Sequence, residues 1–149
     1  MGSFYSSIEV SASGLSAERL AMDVIANNIA NVNTTRTPNG GGPFKRQLIV
    51  FAQKQETGAS TNASLDADPG QSRAGVEAVG IVPDTGPDKM VYDPRHPDAD
   101  AQGYVHYPNI DVVKEMVDMM AASRAYEANV TAIQESRSMG TTLLGLLKS

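Results

Sequence analysis

Two stretches of this chain repeat their apolar residues with the period of an α-helix, and they lie at its opposite ends. Ile8, Leu15, Met22 and Ile29 recur every seven residues, and Ile25 and Val32 extend a neighbouring row. A stripe this narrow is a seam that some other surface must cover. The second run reads Val112, Met116, Met119, Ser123, Tyr126, Val130, Ile133, Arg137, Gly140, Leu144 and Leu147, in alternating steps of four and three. Val113, Val117 and Met120 flank it. At about 1.5 Å per residue the two helices would be roughly 37 and 55 Å long. Arg137 and Gly140 weaken the second seam near its end, where fraying is expected.

The residues between the helices obey different rules. Asn31-Val32-Asn33-Thr34-Thr35-Arg36-Thr37-Pro38 is turn-forming, and the glycines and Pro43 that follow end any regular structure, so the first helix should stop near Asn33. Residues 44–51 and 75–82 are rich in strand formers. The polar stretch 55–72, with Leu65 its one large aliphatic residue, predicts a mobile loop. Residues 89–92 and 104–107 predict a hairpin with a long Pro- and Asp-rich connection. Asp111 stands where a helix N-cap is needed. The expected architecture is α+β: a helix and Asn-rich turn over 1–37, a β-rich insertion over 38–107, and a helix over 108–149 that pairs with the first.

Composition removes several functions. The 149 residues carry 12 Lys and Arg against 17 Asp and Glu, and no segment is strongly basic, which argues against nucleic acid as a partner. The absence of cysteine excludes disulfides, thiolate metal sites and cysteine nucleophiles. With 5% aromatics and no Trp, a large aromatic pocket for a small-molecule substrate is not expected. No run is apolar enough to span a membrane, and the first residues show neither basic charge nor an apolar core of a secretory signal, so any export would use another route.

Candidate chemistry is thin. His96 and His106 share no helical metal motif. Asp98-x-Asp100-x-Gln102-Gly103 imitates half of a calcium loop, but Asn109 stands where a bidentate Glu is required. Gly40-Gly41-Gly42 has no Lys-Ser/Thr after it and reads as a turn, not a phosphate cradle. No Ser lies in Gly-x-Ser-x-Gly. No catalytic, cofactor-binding or metal-ligating residue is therefore assigned. Two rivals from other classes remain to be weighed: a metal-responsive module using Asp98, Asp100 and His106, and an envelope hydrolase for which no nucleophile and base can be named.

The terminal segments carry a resemblance. Ala26-Asn27-Asn28-Ile29-Ala30-Asn31-Val32-Asn33-Thr34 resembles the N-terminal signature of bacterial flagellar rod and hook proteins. Residues 109–120, with Ser123-Arg124-Ala125-Tyr126-Glu127-Ala128-Asn129-Val130, resemble the matching C-terminal segment. Residues 75–82 and 91–105, including Val91-Tyr92-Asp93-Pro94 and Gly103-Tyr104-Val105, sharpen the likeness to the proximal-rod branch. The resemblance implies a structural subunit of the flagellar basal body, in the rod that spans the periplasm. It also implies export by the flagellar type III apparatus, and partners that are copies of itself and other rod proteins. The family motif falls on Asn27, Asn28, Ala30, Asn31, Asn33, Arg124, Tyr126 and Asn129. Isolated helices this rich in Ala, Ser, Asn and Gly are marginal in water, so their order should await partners. Ile8, Leu15, Met22, Ile25, Ile29 and Val32 are expected to meet Val112, Met116, Met119, Tyr126, Val130 and Ile133 within or between copies.

Overall fold

A computed structural model describes residues 2–38, 41–54 and 75–146. Two long helices, α1 (Gly2–Ala30) and α2 (Val112–Leu146), bracket four strands, β1 (Gln47–Gln53), β2 (Val76–Pro83), β3 (Lys89–Tyr92) and β4 (Tyr104–Tyr107). The α+β organisation is the one expected. The predicted mobile loop 55–72 lies outside the described residues.

The helices are longer or more continuous than periodicity alone conveyed. The first begins at Gly2, ahead of its first large seam residue, and passes at Ala30 into a turn over 31–33. The second continues through Arg137 and Gly140 to Leu146, with no break at the predicted weak point. Its start is capped as the sequence predicted: the Asp111 Oδ1 accepts from the backbone N–H of Val113 at 2.9 Å and of Lys114 at 3.4 Å. These donors have no partner inside the helix, and a carboxylate there also suits the positive end of the helix dipole.

β1 and β2 form an antiparallel two-stranded ribbon, from Gln47 opposite Pro83 to Gln53 opposite Val76. Its register shifts after Val50, which faces Gly80 while Phe51 faces Ala78, so Val79 is an extra, bulged residue. The first strand starts three residues later than predicted, because Phe44 instead donates its backbone N–H to the Thr34 carbonyl at 3.0 Å. β3 and β4 form a separate antiparallel hairpin over the predicted residues, closed by an edge-on contact of Tyr92 and Tyr104 with ring centroids 5.3 Å apart. Gly103 turns the chain back with φ +84, and a Cβ there would stand 3.0 Å from the Tyr92 ring.

Among the described residues the buried apolar side chains are few and small: Ala17, Ala21, Val24 and Ala122 on the helices, Val105 on β4 and Pro108 just after it. The larger part of the core is therefore the line along which the helices touch, with a smaller patch where β4 leads into α2.

Candidate functional site: the helix pair and its polar joint

Two contacts fix how the helices run. An atom added at Gly14 would meet the Asn129 amide, 2.8 Å from Nδ2, and the Asn28 Nδ2 donates to the Glu115 Oε2 at 3.0 Å. The partners are fourteen residues apart on both helices, so α1 and α2 run antiparallel and in step. Midway between these contacts the buried Ala21 and Ala122 stand level. Gly14, Ala17, Ala21, Val24 and Asn28 make the buried row of α1, and Glu115 and Ala122 are the buried residues of α2. Small side chains let the two axes approach closely, and the large ones are left beside the seam.

The apolar residues expected on the seam accordingly lie next to it. Ile8, Leu15, Met22, Ile25 and Ile29 are half-buried along one flank of α1, and Val32 is half-buried in the turn that follows it. Met119, Tyr126, Val130 and Ile133 are half-buried on α2, and Val112 and Met116 are exposed. On α1 the buried row leads the expected row by one residue, at 14, 21 and 28 in place of 15, 22 and 29. On α2 the row 119, 126 and 133 stays beside the line of contact, while Glu115 and Ala122 are buried in place of Met116 and Ser123. Val113, Met116, Val117 and Met120 recur at helical spacing on the face of α2 opposite the seam, 71, 56, 53 and 53% exposed. Arg124, Glu127 and Thr131 continue that face as polar surface.

The end of the pair near the N-terminus of α2 is closed by a polar joint that the expected apolar rows did not include. Asn28 is 1% exposed, and its carboxamide pairs with both backbone groups of Gln47. Its Oδ1 accepts from the Gln47 N–H at 2.8 Å, and its Nδ2 donates to the Gln47 carbonyl at 2.9 Å. Glu115, also 1% exposed, accepts from Asn28 on one oxygen. On the other it accepts from the Arg46 Nε and Nη2, both at 2.6 Å. Arg46 also lies 3.7 Å from Asp118 and from Asp84. A buried carboxylate needs such a cation and a filled set of donors. The sequence signal was there: an Asn at a position of the buried heptad row, and a Glu one place before Met116.

Of the other motif residues, Asn27 also reaches β1, its Nδ2 donating to the Gln47 Oε1 at 3.4 Å, and the rest have local roles or face outward. Asn31 donates its side-chain amide to the Asn27 carbonyl at 2.9 Å and to the Asn27 Oδ1 at 2.8 Å, closing the end of α1, and accepts from the Thr34 hydroxyl at 3.1 Å. Asn129 donates to the Ala125 carbonyl at 3.1 Å. Ala30, Asn33 and Arg124 are exposed, and Tyr126 is half-buried.

The loop considered as a metal module is used for structure. The Asp98 Oδ2 accepts from the Thr35 hydroxyl at 2.8 Å, tying the hairpin to the turn after α1, and its Oδ1 lies 3.6 Å from the Arg36 Nε. The Asp100 carboxylate accepts from the Tyr104 N–H at 2.8 Å and the Gln102 N–H at 2.9 Å. Those bonds, the Tyr104 one foremost, hold its pKa below the ordinary aspartate range against the opposing effect of desolvation; His106, with its Nε2 3.8 Å away, adds to the lowering. Among the described residues, no group of three or more His, Asp or Glu is placed to hold a metal ion, and no helix is long and apolar enough to cross a membrane.

Comparison with known proteins converges on the two helical segments. The family model "Flagella basal body rod protein" matches residues 8–36, and the model "Flagellar basal body rod FlgEFG protein C-terminal" matches residues 101–146. The flagellar basal-body rod protein FlgC of Borreliella burgdorferi is 49% identical over 97% of both chains. That of Bacillus subtilis is 41% identical over 91% of this chain and 92% of its own. That of Salmonella typhimurium is 37% identical over 88% of each. On that similarity across nearly its whole length, the chain belongs to the flagellar basal-body rod proteins and is most like FlgC.

Proposed function

We propose that this chain is a building block of the proximal rod, exported by the flagellar type III apparatus and polymerised with copies of itself and other rod proteins through its terminal helices. Proteins of this family localise to the flagellar basal body, whose rod crosses the periplasm. The observation that carries the reading is the outward apolar stripe of α2. The seam is already filled by the partner helix of the same chain, yet Val113, Met116, Val117 and Met120 face away from it. A contiguous exposed apolar stripe on a helix marks an interaction surface. The half-buried flank of α1, Ile8 through Ile29, leaves further apolar area open beside the seam.

Export is supported by the thinness of the core. With a seam of Ala, Gly and Asn, little apolar area holds the helix pair together, so unfolding it for passage through a channel costs less than unfolding a pair joined by large apolar side chains, and the pair can re-form by itself before lateral contacts add to it. The chain acts by shape and contact, with no residue assigned a catalytic step and no cofactor or small-molecule substrate. Met22→Asp, and separately Met116→Asp with Met120→Asp, should abolish polymerisation of the purified subunit, read by sedimentation and electron microscopy. The strands should stay folded by amide exchange. Intact filaments from both variants would overturn the reading.

A further inference from the structure

The polar joint is a closed ring. It runs from the Gln47 backbone to the Asn28 carboxamide, on to the Glu115 carboxylate and the Arg46 guanidinium, and back, because Arg46 and Gln47 are neighbours in the chain. Its members come from three parts of the fold: Asn28 from α1, Glu115 from α2, and Arg46 and Gln47 from the start of the β1–β2 ribbon. We propose that Asn28, Glu115 and Arg46 are positioning residues that set the direction in which the β1–β2 ribbon lies on the helix pair.

The geometry supports this in three ways. First, the Asn28 carboxamide presents an acceptor and a donor to one residue of β1, the way a neighbouring strand would, so it fixes orientation as well as distance. Second, the carboxamide has one rotamer and one flip that satisfy Gln47, and the Glu115 Oε2 selects them by taking the second amide proton. Third, Glu115 itself is held by two nitrogens of one planar guanidinium, a two-point grip that a Lys could not reproduce.

A second tie exists at the far end of the ribbon. The Ser13 hydroxyl accepts from the Val76 N–H at 3.0 Å while donating to the Val10 carbonyl at 2.7 Å. Fifteen residues of α1 separate Ser13 from Asn28, roughly 22 Å at about 1.5 Å per residue. The strand from Gln47 to Gln53, whose partner is Val76, spans about 20 Å at about 3.3 Å per residue. The ribbon thus lies along α1 and is held at both ends, once by a single hydroxyl and once by the ring. Breaking the ring leaves it on that hydroxyl and on one long bond, 3.4 Å from the Asn27 Nδ2 to the Gln47 Oε1, which fixes distance at that end but not direction. The inference deepens the rod reading, since the ribbon's direction decides what it meets on a neighbour, but it is a statement about a single subunit and is tested on one.

Because the natural chain has no cysteine, labels can be placed at will. Val79→Cys on the ribbon and Glu127→Cys on α2, both at exposed positions, would carry nitroxides for pulsed electron–electron distance measurement on the dispersed full chain. The parent should give one narrow distribution. Asn28→Ala and Arg46→Met should each at least double its width with helix content unchanged by circular dichroism, and Arg46→Lys should give an intermediate width. Adding Glu115→Gln to Arg46→Met should narrow it again, because the amide still accepts from Asn28 and no buried charge is left alone. Widths equal to the parent in all variants would overturn the proposal. So would the absence of narrowing by Glu115→Gln, or loss of the helix pair in every variant, which would mean that the ring holds the helices and does not aim the ribbon. Filament formation is scored separately, so a failed rod reading leaves this result standing.

Discussion

Gly14→Ala tests the helix contact where its sign is least obvious. In an isolated helix the substitution would stabilise by about 1 kcal/mol, because alanine loses less backbone freedom on folding. Here the new methyl would stand 2.8 Å from the Asn129 Nδ2 and 3.2 Å from its Cγ and Oδ1. Asn129 would have to swing away, giving up its 3.1 Å bond to the Ala125 carbonyl, worth about 1 kcal/mol, and leaving its preferred rotamer for about 1 kcal/mol more. The alternative is to push the axes apart where Ala21 and Ala122 stand level, which loses contacts along the whole seam. The net expectation is a loss of about 1 kcal/mol in urea unfolding followed by helical circular dichroism. Combining it with Asn129→Ala removes the obstacle and leaves two helix-favouring alanines, so the double variant should be at least as stable as the parent. The coupling in the double-mutant cycle should be about 1–2 kcal/mol. A single variant that gains the full 1 kcal/mol with no coupling would refute the close antiparallel approach.

Three further outcomes follow from the same geometry. Asn28→Ala leaves the Glu115 Oε2 and both Gln47 backbone groups short of a partner, and should cost about 3 kcal/mol by urea unfolding. Ser13→Ala should cost about 1 kcal/mol and speed exchange of the Val76 amide above that of the Lys54 amide, which keeps its bond to the Gly75 carbonyl. Asp100 should titrate by carboxyl NMR below the ordinary aspartate range. Because its folded pKa is depressed, its contribution to hairpin stability is present above the unfolded value and lost as pH falls through the folded one, and Asp100→Asn should remove that dependence.

The sequence displayed the architecture because periodicity and punctuation are local. Seven-residue spacing marked both helices, Asp111 marked the start of the second, and the Tyr-flanked runs 89–92 and 104–107 marked the hairpin. The rotation of each helix was less legible, because reading a seam from Leu, Ile and Met assumes that the largest residues are the most buried. Here Gly14, Ala21 and Ala122 win the contact by being small, and Met116, Val117 and Met120 are displaced to a face the single chain does not cover. The polar joint was hidden for a different reason. Its members are far apart in sequence, and an Asn or a Glu on a helix reads as solvated until an Arg46 from another segment is placed beside it.

On the function proposed above, the chain satisfies its seam by itself and leaves the outward stripe of α2 for other subunits. Oxidative footprinting of Met116 and Met120, 56 and 53% exposed in the single chain, measures this directly in dispersed and assembled protein. Oxidation at both should slow at least tenfold on assembly, and Met90 of the hairpin, 63% exposed, provides a comparison site of the same chemistry. Equal rates for both methionines in subunit and filament would contradict the account.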